Sequence, residues 1–346
     1  MQDNRRRLLG AGMTGMVGSL TGLLADSRWA RAADEGPGVM KLSTATINDV
    51  QHEWLRWFAA EVARSSGGKL RGEVFPASQL GSIPRQIEGT QFGSIQAWAG
   101  PPQFLAGIDS RYELPSAPGV FKDAAHAHRA LQDPEFNASL LALGSNRGLK
   151  GIGAYVLGSA GFVTRTRATK LSDLEGKKIR VLAADMDREE MRRLKVNGIP
   201  MALGEVLPAL QQGTIDGMMS SLPVVTPMRY YDSAKFYLET GHAMVVSMTV
   251  VSRLWFDKLS PDLQAMVVDS GRRISQDIGA WSVEDYGHAK EAWIKNGGEV
   301  NTLSEADATQ MTRMMASIGS EVSARKPEEK SLYEQMVRAA ERTAKG

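Results

Sequence analysis

The chain of 346 residues is long enough to form two domains with their own hydrophobic cores. Its 42% hydrophobic and 23% charged residues are ordinary for a globular protein, and a formal net charge of +2 gives no reason to expect a nucleic-acid partner. The sequence contains no cysteine, which excludes disulfides, a thiol nucleophile and cysteine metal sites.

Residues 1–32 have the pattern of an export signal. A basic segment at 5–7 (RRR) is followed by a glycine-containing apolar run to Leu24 and by a small-residue sequence at 30–32 (ARA). The paired arginines resemble a twin-arginine signal. The alternative is a retained membrane anchor, although the run is short and rich in glycine for a membrane span. We expect cleavage near Ala32, which removes five arginines and two aspartates and brings the net charge close to zero.

The first part of the remaining chain predicts alternating strands and helices. Strands are expected at 39–45, 70–75 and 94–99, where apolar residues alternate or run together. Helices are expected between them, at 52–65 and 83–90, where apolar residues recur at helical spacing. This βαβαβ order is typical of an α/β domain.

A proline-rich crossing at 114–121 follows this first domain. Helices are then predicted at about 123–131 and 134–147, and a strand over 148–164. We expect this strand to carry the chain into a second domain.

The segment 171–221 predicts two consecutive βα units. A capped turn leads to a short strand ending near Arg180, a charged helix, a Gly-Ile-Pro turn at 198–200, and a second helix that stops at Gly213; a second strand begins near Thr214. Two such units predict a parallel sheet, in which ligands bind beyond the carboxyl ends of the strands. The guanidinium at that strand end is a fixed cation whose two-pronged donor face suits a carboxylate.

The last third of the chain predicts two strands and a long helix. The strands are expected at 236–238 and 244–251, the second being an apolar run typical of a strand buried on both faces. The long helix is expected over 261–292, preceded by a serine N-cap and starting with a proline. Further helices are predicted at 304–322 and 327–344.

Repeated crossings between the domains predict a two-lobed α/β clamp that closes on a ligand. In this interpretation the first lobe comprises 39–156 plus about 246–280, and the second comprises 157–245 plus about 281–346. The long helix spans both lobes.

Six sequence segments, taken in order, match the motif pattern of one protein family. They are 75–81 (FPASQLG), 87–95 (IEGTQFGSI), 173–181 (DLEGKKIRV), 204–217 (GEVLPALQQGTIDG), 240–242 (TGH) and 255–260 (WFDKLS). Over about residues 39–300, the chain is thereby similar to the solute-binding proteins of TRAP (tripartite ATP-independent periplasmic) transporters.

The resemblance implies a two-lobed periplasmic binding protein, each lobe a mixed, mostly parallel sheet flanked by helices. It also implies that Arg180 pairs with the carboxylate of a small organic acid, the residue that the strand-end position indicates independently. The expected partners are that acid and the TRAP membrane permease subunits, with no nucleic acid. We expect a monomer, with a dimer as the alternative, and we expect no enzymatic activity, cofactor or metal.

Departures from the family pattern bear on the expected solute. Ala183 and the run 218–221 stand where many members that bind dicarboxylates or sialic acid have polar residues. The stretch 98–102 (WAGPP) lacks the family's pocket polarity, and no second ligand-binding arginine is evident around Ala160. We therefore expect a monocarboxylate with an apolar or aromatic body, such as a 2-oxo or aromatic acid. Trp98 either stacks on such a ligand or packs in the core.

The expected solute-binding residues are Arg180, Trp98, Gly100, Thr46, Ala183, Met218, Met219 and Ser220. The acidic residues at 185–190 predict an acidic helix N-terminus. The alternative is that two of them bind hydroxyl or amine groups of the solute. His242 is expected to be a core or hinge histidine.

Two other function classes stay open at this stage: a secreted α/β enzyme acting on small carboxylic acids, and a ligand-sensing receptor subunit. Motifs for other chemistry are weak. The G-x-G-x-x-G at 10–15 lies in the leader and lacks a preceding strand. His126 and His128 do not share a helix face, and the acidic residues at 185–190 lack the spacing of a calcium-binding EF-hand loop.

Overall fold

Every strand between residues 38 and 345, the part of the chain that the computed structural model describes, belongs to one mixed sheet. The predicted export signal at 1–32 lies outside the described residues. The strands are β1 (Val39–Thr44), β2 (Arg71–Phe75), β3 (Ala97–Gly100), β4 (Leu149–Thr164), β5 (Lys178–Val181), β6 (Asn197–Pro200), β7 (Gly217–Ser220), β8 (Phe236–Ser252) and β9 (Glu299–Thr302). Their order is β2-β1-β3-β8-β4-β7-β5-β6, and β9 pairs with β8.

The sheet confirms the predicted fold class, because most of its strand pairings are parallel. On one side β1 pairs in parallel with β2 and β3, and on the other β5 pairs in parallel with β6 and β7. Between these halves β4 and β8 are antiparallel to each other, and they join β7 and β3 through antiparallel pairings. The sheets of the two lobes are therefore continuous through one long antiparallel pair.

The β4–β8 pair is irregular where it passes from one half to the other. Its register shifts three times between Gly151 and Gly161. At the largest shift, Thr240–Ala243 of β8 lies opposite Ala160 alone, and we call this segment the crossing bulge. Bulges bend a strand and increase its twist, so the sheet changes direction here.

The helices complete the α/β architecture. Between residues 38 and 345 they are α1 (Val50–Ser65), α2 (Ile83–Gln91), α3 (Ala124–Leu131), α4 (Pro134–Leu141), α5 (Asp185–Arg193), α6 (Leu203–Gln212), α7 (Leu222–Val225), α8 (Arg253–Phe256), α9 (Pro261–Lys295), α10 (Glu305–Met315), α11 (Ile318–Ser323) and α12 (Pro327–Arg342). Short 3-10 helices at Pro102–Leu105 and Ser110–Ser116 follow β3. None of these described helices combines the length and the apolar character needed to cross a membrane.

Local sequence signals set the ends of several helices. Asp49 caps α1 by accepting a hydrogen bond from the His52 N–H at 3.0 Å. Ser260 caps α9 by accepting one from the Leu263 N–H at 3.4 Å. At the end of α6, Gly213 has a φ of 73°, the left-handed conformation that glycine tolerates best. The predicted N-cap of the long helix and the predicted stop at Gly213 are confirmed.

The long helix α9 contacts both halves of the sheet, as predicted. In the first half, Trp54 of α1 stacks on Phe58 and on Tyr155 of β4, with ring centroids 5.1 and 5.6 Å apart. The indole Nε1 of Trp54 donates to Ser275 Oγ of α9 at 3.0 Å, so this buried aromatic cluster joins α1, β4 and α9. In the second half, α9 contacts α7 and β9.

Two short edge elements were not predicted as strands. The Gly-Ile-Pro turn expected at 198–200 is wrong, because these residues belong to β6 and pair in parallel with β5. An edge strand can end in Pro200 because the missing N–H is not needed there. Residues 299–302, for which no strand was predicted, pair with β8 as β9.

Two longer predictions also change. The strands expected at 236–238 and 244–251 are one strand, β8, whose polar middle residues form the crossing bulge. The helix expected at 134–147 ends at Leu141, because Gly144 takes a left-handed conformation and a 3-10 turn follows it.

The last helix packs against elements of the predicted first lobe. Arg342 of α12 pairs with Asp133 at 2.7 Å, and the backbone oxygen of Ala340 lies 2.8 Å from His126 Nε2 of α3. The predicted lobe boundaries, which assign 281–346 to the second lobe, stay a prediction. Although α12 falls in the range assigned to the second lobe, it contacts α3 and α4 of the range assigned to the first.

We predict that Gly271→Ala destabilises the protein. A Cβ atom at Gly271 of α9 would overlap the backbone oxygen of Ile152 in β4, so the helix would have to move away from the sheet. Overpacking of this kind costs about 1–3 kcal/mol, offset in part by roughly 1 kcal/mol from the better helix propensity of alanine. In urea denaturation, the free energy of unfolding should fall by up to about 2 kcal/mol.

Gly287→Ala is the matched control on the same helix. No atom lies within 4 Å of the position that a Cβ would take at Gly287. This substitution should therefore be neutral or stabilising by up to about 1 kcal/mol. Equal effects of the two substitutions would show that α9 does not pack tightly on β4 at Gly271.

Candidate functional site

A cleft lies beside the crossing bulge and takes its lining from both halves of the sheet. The empty space between its walls is about 750 Å³ when the opening to solvent is included, and about 60 Å³ of it can hold the centre of a water-sized sphere. Leu157, Ala160 and Met244 line it at the crossing. Trp98 comes from β3 on one side of the β4–β8 pair, and Arg180 comes from β5 on the other. Most of the remaining lining is apolar, so the few charged and polar groups decide what the cleft can bind.

Arg180 brings a buried positive charge to the cleft. The residue is 4% exposed, and no other lysine or arginine between residues 38 and 345 is buried. Its Nε donates to the backbone oxygen of Met201 at 2.9 Å. No Asp or Glu oxygen of the described chain lies within 4.0 Å of the guanidinium. Burial lowers the pKa of Arg180 to about 10, opposed by Tyr230 and Asp187, so the group is protonated at neutral pH.

The geometry leaves the outer face of this guanidinium available. Nε is engaged by the backbone, whereas neither Nη atom of Arg180 has a hydrogen-bond partner among residues 38–345. Two parallel N–H groups are the arrangement that binds a carboxylate in bidentate fashion. A buried charge without a counter-charge is unfavourable, so an anion in the cleft would be bound strongly.

Two carboxyl groups of α5 also line the cleft. Asp187 is 3% exposed and Glu190 is 1% exposed. Oδ2 of Asp187 accepts a hydrogen bond from the Leu182 N–H at 2.9 Å. Burial first, and then the charge of Glu190, raise the pKa of Asp187 well above its ordinary value, against the Leu182 N–H and Arg180. Asp187 is therefore held toward its neutral form.

Glu190 is paired with a histidine of the crossing bulge. Its Oε2 lies 3.0 Å from His242 Nε2, and both side chains are buried. His242 Nδ1 lies 2.7 Å from Thr240 Oγ1, which is also 3.1 Å from the backbone oxygen of Ala160. The ring of His242 stacks on Phe162. The prediction of a core histidine is confirmed, and this histidine links the cleft to the crossing bulge.

On the other side of the cleft, Trp98 and Gly100 come from β3 and Thr46 follows β1. The ring of Trp98 lies where a Cβ atom on Gly100 would stand, so glycine is needed for this ring position. Thr46 Oγ1 donates to Asp49 at 2.9 Å and accepts from Gln51 Nε2 at 3.2 Å. The polar groups of Thr46 are thus satisfied within the protein.

The structure brings together six of the eight expected solute-binding residues. Those that line the cleft are Arg180, Trp98, Gly100, Thr46, Met219 and Ser220. Ala183 does not line it, because this residue is exposed beyond the end of β5. Met218 is fully buried in the core. Side chains alternate along a strand, so Met218 and Met219 of β7 face opposite sides of the sheet.

Several polar residues of the cleft were absent from the expected set. Asp187 and Glu190 had a signal in the sequence, since a solute-binding role for two residues of 185–190 was the stated alternative to an acidic helix start. Gln103 and Ser116 had none. They lie on the short 3-10 helices after β3, and the position of such helices depends on tertiary packing.

The described residues provide no cluster for a metal ion. Between residues 38 and 345, no three or more His, Asp or Glu side chains are grouped to hold one. His126 and His128 turn to different backbone oxygens, those of Ala340 and Gln276.

Comparison with known proteins gives a family match over most of the chain. Residues 43–326 match the family model described as bacterial extracellular solute-binding protein, family 7. The 2,3-diketo-L-gulonate-binding periplasmic protein of Escherichia coli K12 is 31% identical over 226 residues, which cover 65% of this chain and 68% of that protein.

Solved structures are similar in fold over nearly the same range. A TRAP periplasmic solute-binding protein from Bradyrhizobium, in complex with D-galacturonate, has a TM-score of 0.80 and 26% identity, covering 86% of this chain and 99% of that one. One from Xanthobacter autotrophicus Py2, with bound β-D-galacturonate, has a TM-score of 0.77 and 26% identity at the same coverage.

We predict that Asp187→Asn stabilises the protein increasingly as the pH rises. The folded-state pKa of Asp187 is raised, so its favourable contribution is complete below the unfolded pKa of 3.8 and is lost as the pH rises through the folded value. Asparagine has the same shape and does not titrate. The difference in Tm between Asp187→Asn and the unchanged protein should therefore grow from pH 4 upward and then level off. A constant difference between pH 4 and 9 would contradict the buried, neutral carboxyl group.

Glu189→Gln is the control on the same helix, because the pKa of Glu189 is lowered whereas that of Asp187 is raised. A hydrogen bond from Arg192 is the main reason that the pKa of Glu189 is lowered to about 2. The contribution of that carboxylate is complete above the ordinary value of 4.5 and is lost only as the pH falls toward 2. Its Tm difference should therefore stay constant between pH 6 and 9.

Proposed function

The chain belongs to bacterial extracellular solute-binding protein family 7, and we propose that it is the periplasmic solute-binding subunit of a TRAP transporter that captures a small organic acid through Arg180. The observation that carries the proposal is the buried guanidinium in the cleft, which has no carboxylate partner among residues 38–345. A carboxylate of the solute supplies the missing counter-charge.

The position of the cleft supports capture by closure of the lobes. The solute contacts β3 on one side of the β4–β8 pair and β5 on the other, so its binding energy favours an arrangement in which both sides touch it. The irregular crossing bulge, which lines the cleft, is where such a movement would bend the sheet. The closed form then presents the solute to the membrane permease. We propose that the protein works in the periplasm as a monomer.

The named solutes of two relatives support the choice of an organic acid. The Escherichia coli relative is named for 2,3-diketo-L-gulonate, and the Bradyrhizobium structure contains D-galacturonate. Both compounds carry a carboxylate. The family is one of solute-binding proteins, which favours transport over the enzyme and over the receptor subunit.

We predict that Arg180→Met strongly weakens acid binding while the protein still folds. Methionine fills similar space without the charge, and truncating one partner of a buried ion pair weakens binding by about 2 kcal/mol or more, roughly thirty-fold. Thermal shift with a panel of small organic acids identifies a ligand, which at about 100 times its Kd raises the unfolding free energy by about 2.7 kcal/mol. Isothermal titration then compares the variants, and the amide of the same acid should not bind.

The control is Arg188→Met, the same substitution at an exposed arginine of α5. It should bind the acid as the unchanged protein does. Arg180→Lys keeps the charge but not the fork, so it should bind with intermediate affinity. If Arg180→Met binds the acid with unchanged affinity, the carboxylate role of Arg180 is wrong. Conversion of the ligand, followed by NMR, would favour the enzyme instead.

We further propose that residues 1–32 are a twin-arginine signal removed near Ala32. The paired arginines are the recognised element of such signals, so replacing Arg5 and Arg6 by lysine should abolish export. Periplasmic fractionation with N-terminal sequencing of the exported protein measures this. Arg7→Lys leaves the pair intact and is the control. Export of the double-lysine variant at the normal level would disprove the twin-arginine assignment.

A further inference from the structure

We propose that the solute of this cleft is a monocarboxylate whose far end carries a neutral hydrogen-bonding group, an amide or a hydroxyl, recognised by Trp98, Gln103 and Ser116. The inference rests on the proposed function, in which Arg180 binds the carboxylate. It differs from the apolar or aromatic body that the sequence predicts, because it assigns polar partners to the opposite end of the solute.

The charges around the cleft favour a single carboxylate. Among residues 38–345, Arg180 is the only lysine or arginine that lines it, and the acidic side chains that line it are Asp187 and Glu190. A solute with one carboxylate matches this one cation. A second carboxylate would be buried without a cation of its own, in the same cavity as the acidic pair, and an uncompensated buried charge is strongly unfavourable.

Polar atoms without partners mark the other end of the cleft. Trp98 Nε1, Gln103 Oε1 and Ser116 Oγ are buried, and none has a hydrogen-bond partner in the described chain. Trp98 is 0% exposed and Gln103 is 6% exposed. Leaving such an atom unpaired is unfavourable, and native proteins keep few of them. A polar group of the solute at this end would give such atoms a partner that the described chain does not provide.

The chemistry of these atoms specifies a neutral group. The indole N–H donates, the side-chain amide of Gln103 both donates and accepts, and the Ser116 hydroxyl does the same. No charged residue from 98 to 116 lines the cleft. An amide or a hydroxyl can donate and accept at once, whereas a methyl group would leave the three atoms unpaired.

The two ends of the cleft belong to different parts of the sheet. Trp98 lies on β3, and Gln103 and Ser116 lie on the 3-10 helices that follow it. Arg180 lies on β5, across the β4–β8 pair. The lining at the crossing between them, including Leu157 and Met244, is apolar. A solute that reaches from Arg180 to Gln103 needs its carboxylate at one end and its neutral polar group at the other.

Isothermal titration with two series of matched acids tests the proposal. Each series keeps one carboxylate and changes only the far end: butanoate, succinate and succinamate in the first, and 4-methylbenzoate, terephthalate and 4-carbamoylbenzoate in the second. In at least one series, the monoamide should bind about tenfold more tightly than both its methyl and its dicarboxylate counterparts, as expected for one or two added hydrogen bonds. A dicarboxylate or methyl acid that binds as tightly as the monoamide in both series, or no binding in either, overturns the proposal.

Variants assign the effect to the named residues. Trp98→Phe removes the N–H and keeps an aromatic ring, and Gln103→Leu removes the amide at a similar side-chain size. Each should weaken the binding of the monoamide about tenfold and leave the binding of the methyl acid unchanged. Gln335→Leu is the matched control, because Gln335 Oε1 is also buried without a partner but lies on α12, outside the cleft.

A gain of function keeps the test decisive if the loss variants fold poorly. Gln103→Lys places a second cation at the far end, so the affinity ratio of dicarboxylate to monoamide should rise by about tenfold or more.

Arg180→Met distinguishes a failure of the far-end assignment from a failure of the proposed function. If it alone abolishes binding while the variants at 98 and 103 change nothing, carboxylate capture stands and the far-end assignment is wrong. If Arg180→Met binds every acid as before, the proposed function itself fails.

Discussion

The antiparallel pairing of β4 with β8 is the interaction on which the rest of the structure depends. Within residues 38–345, the two parallel halves of the sheet are joined to each other only through these strands. The ladder is also where regularity is lost, because four residues of β8 lie opposite Ala160. Without the bulge, β4 and β8 would pair regularly at this point and the sheet would not bend there. The bulge bends the sheet and leaves the cleft beside it, so the same segment connects the lobes and lines the cleft.

The electrostatics of the cleft follow from burying more charge than the protein itself neutralises. Arg180 is buried, and its only hydrogen-bond partner in the part of the chain that the structure describes is a backbone oxygen. The nearest acidic groups are not available as ordinary counter-ions, since Asp187 is held toward its neutral form and Glu190 is paired with His242. A site built in this way is unfavourable without an anion and favourable with one. The buried charge lowers the stability of the protein without an anion and increases its affinity for one, as is common at binding sites.

Much of the fold could be predicted because local signals and long-range packing agree. The α/β order, the caps of the long helix and the stop at Gly213 all followed from periodicity and turn residues. β6 and β9 did not, because four-residue edge segments become strands only through pairing with β5 and β8. In the site, Arg180 was predictable from its place at the end of a strand. Met218 was expected at the cleft beside Met219 because the register of β7 cannot be read from composition. Gln103 depends on how a 3-10 helix folds back after β3.

The location of Gln103 has a consequence for how such proteins diversify. It lies on a short 3-10 helix that contributes no hydrogen bond to the sheet, and it makes no side-chain hydrogen bond within the described chain. Arg180 lies in a paired strand on the opposite side of the β4–β8 pair. Gln103 and Arg180 share no hydrogen-bond partner in the described chain, so a substitution at 103 leaves the hydrogen bond that positions Arg180 in place. With the roles proposed for these two residues, selection can change which acid is preferred, one residue at a time, while the capacity to hold an acid and the scaffold that holds it are inherited unchanged.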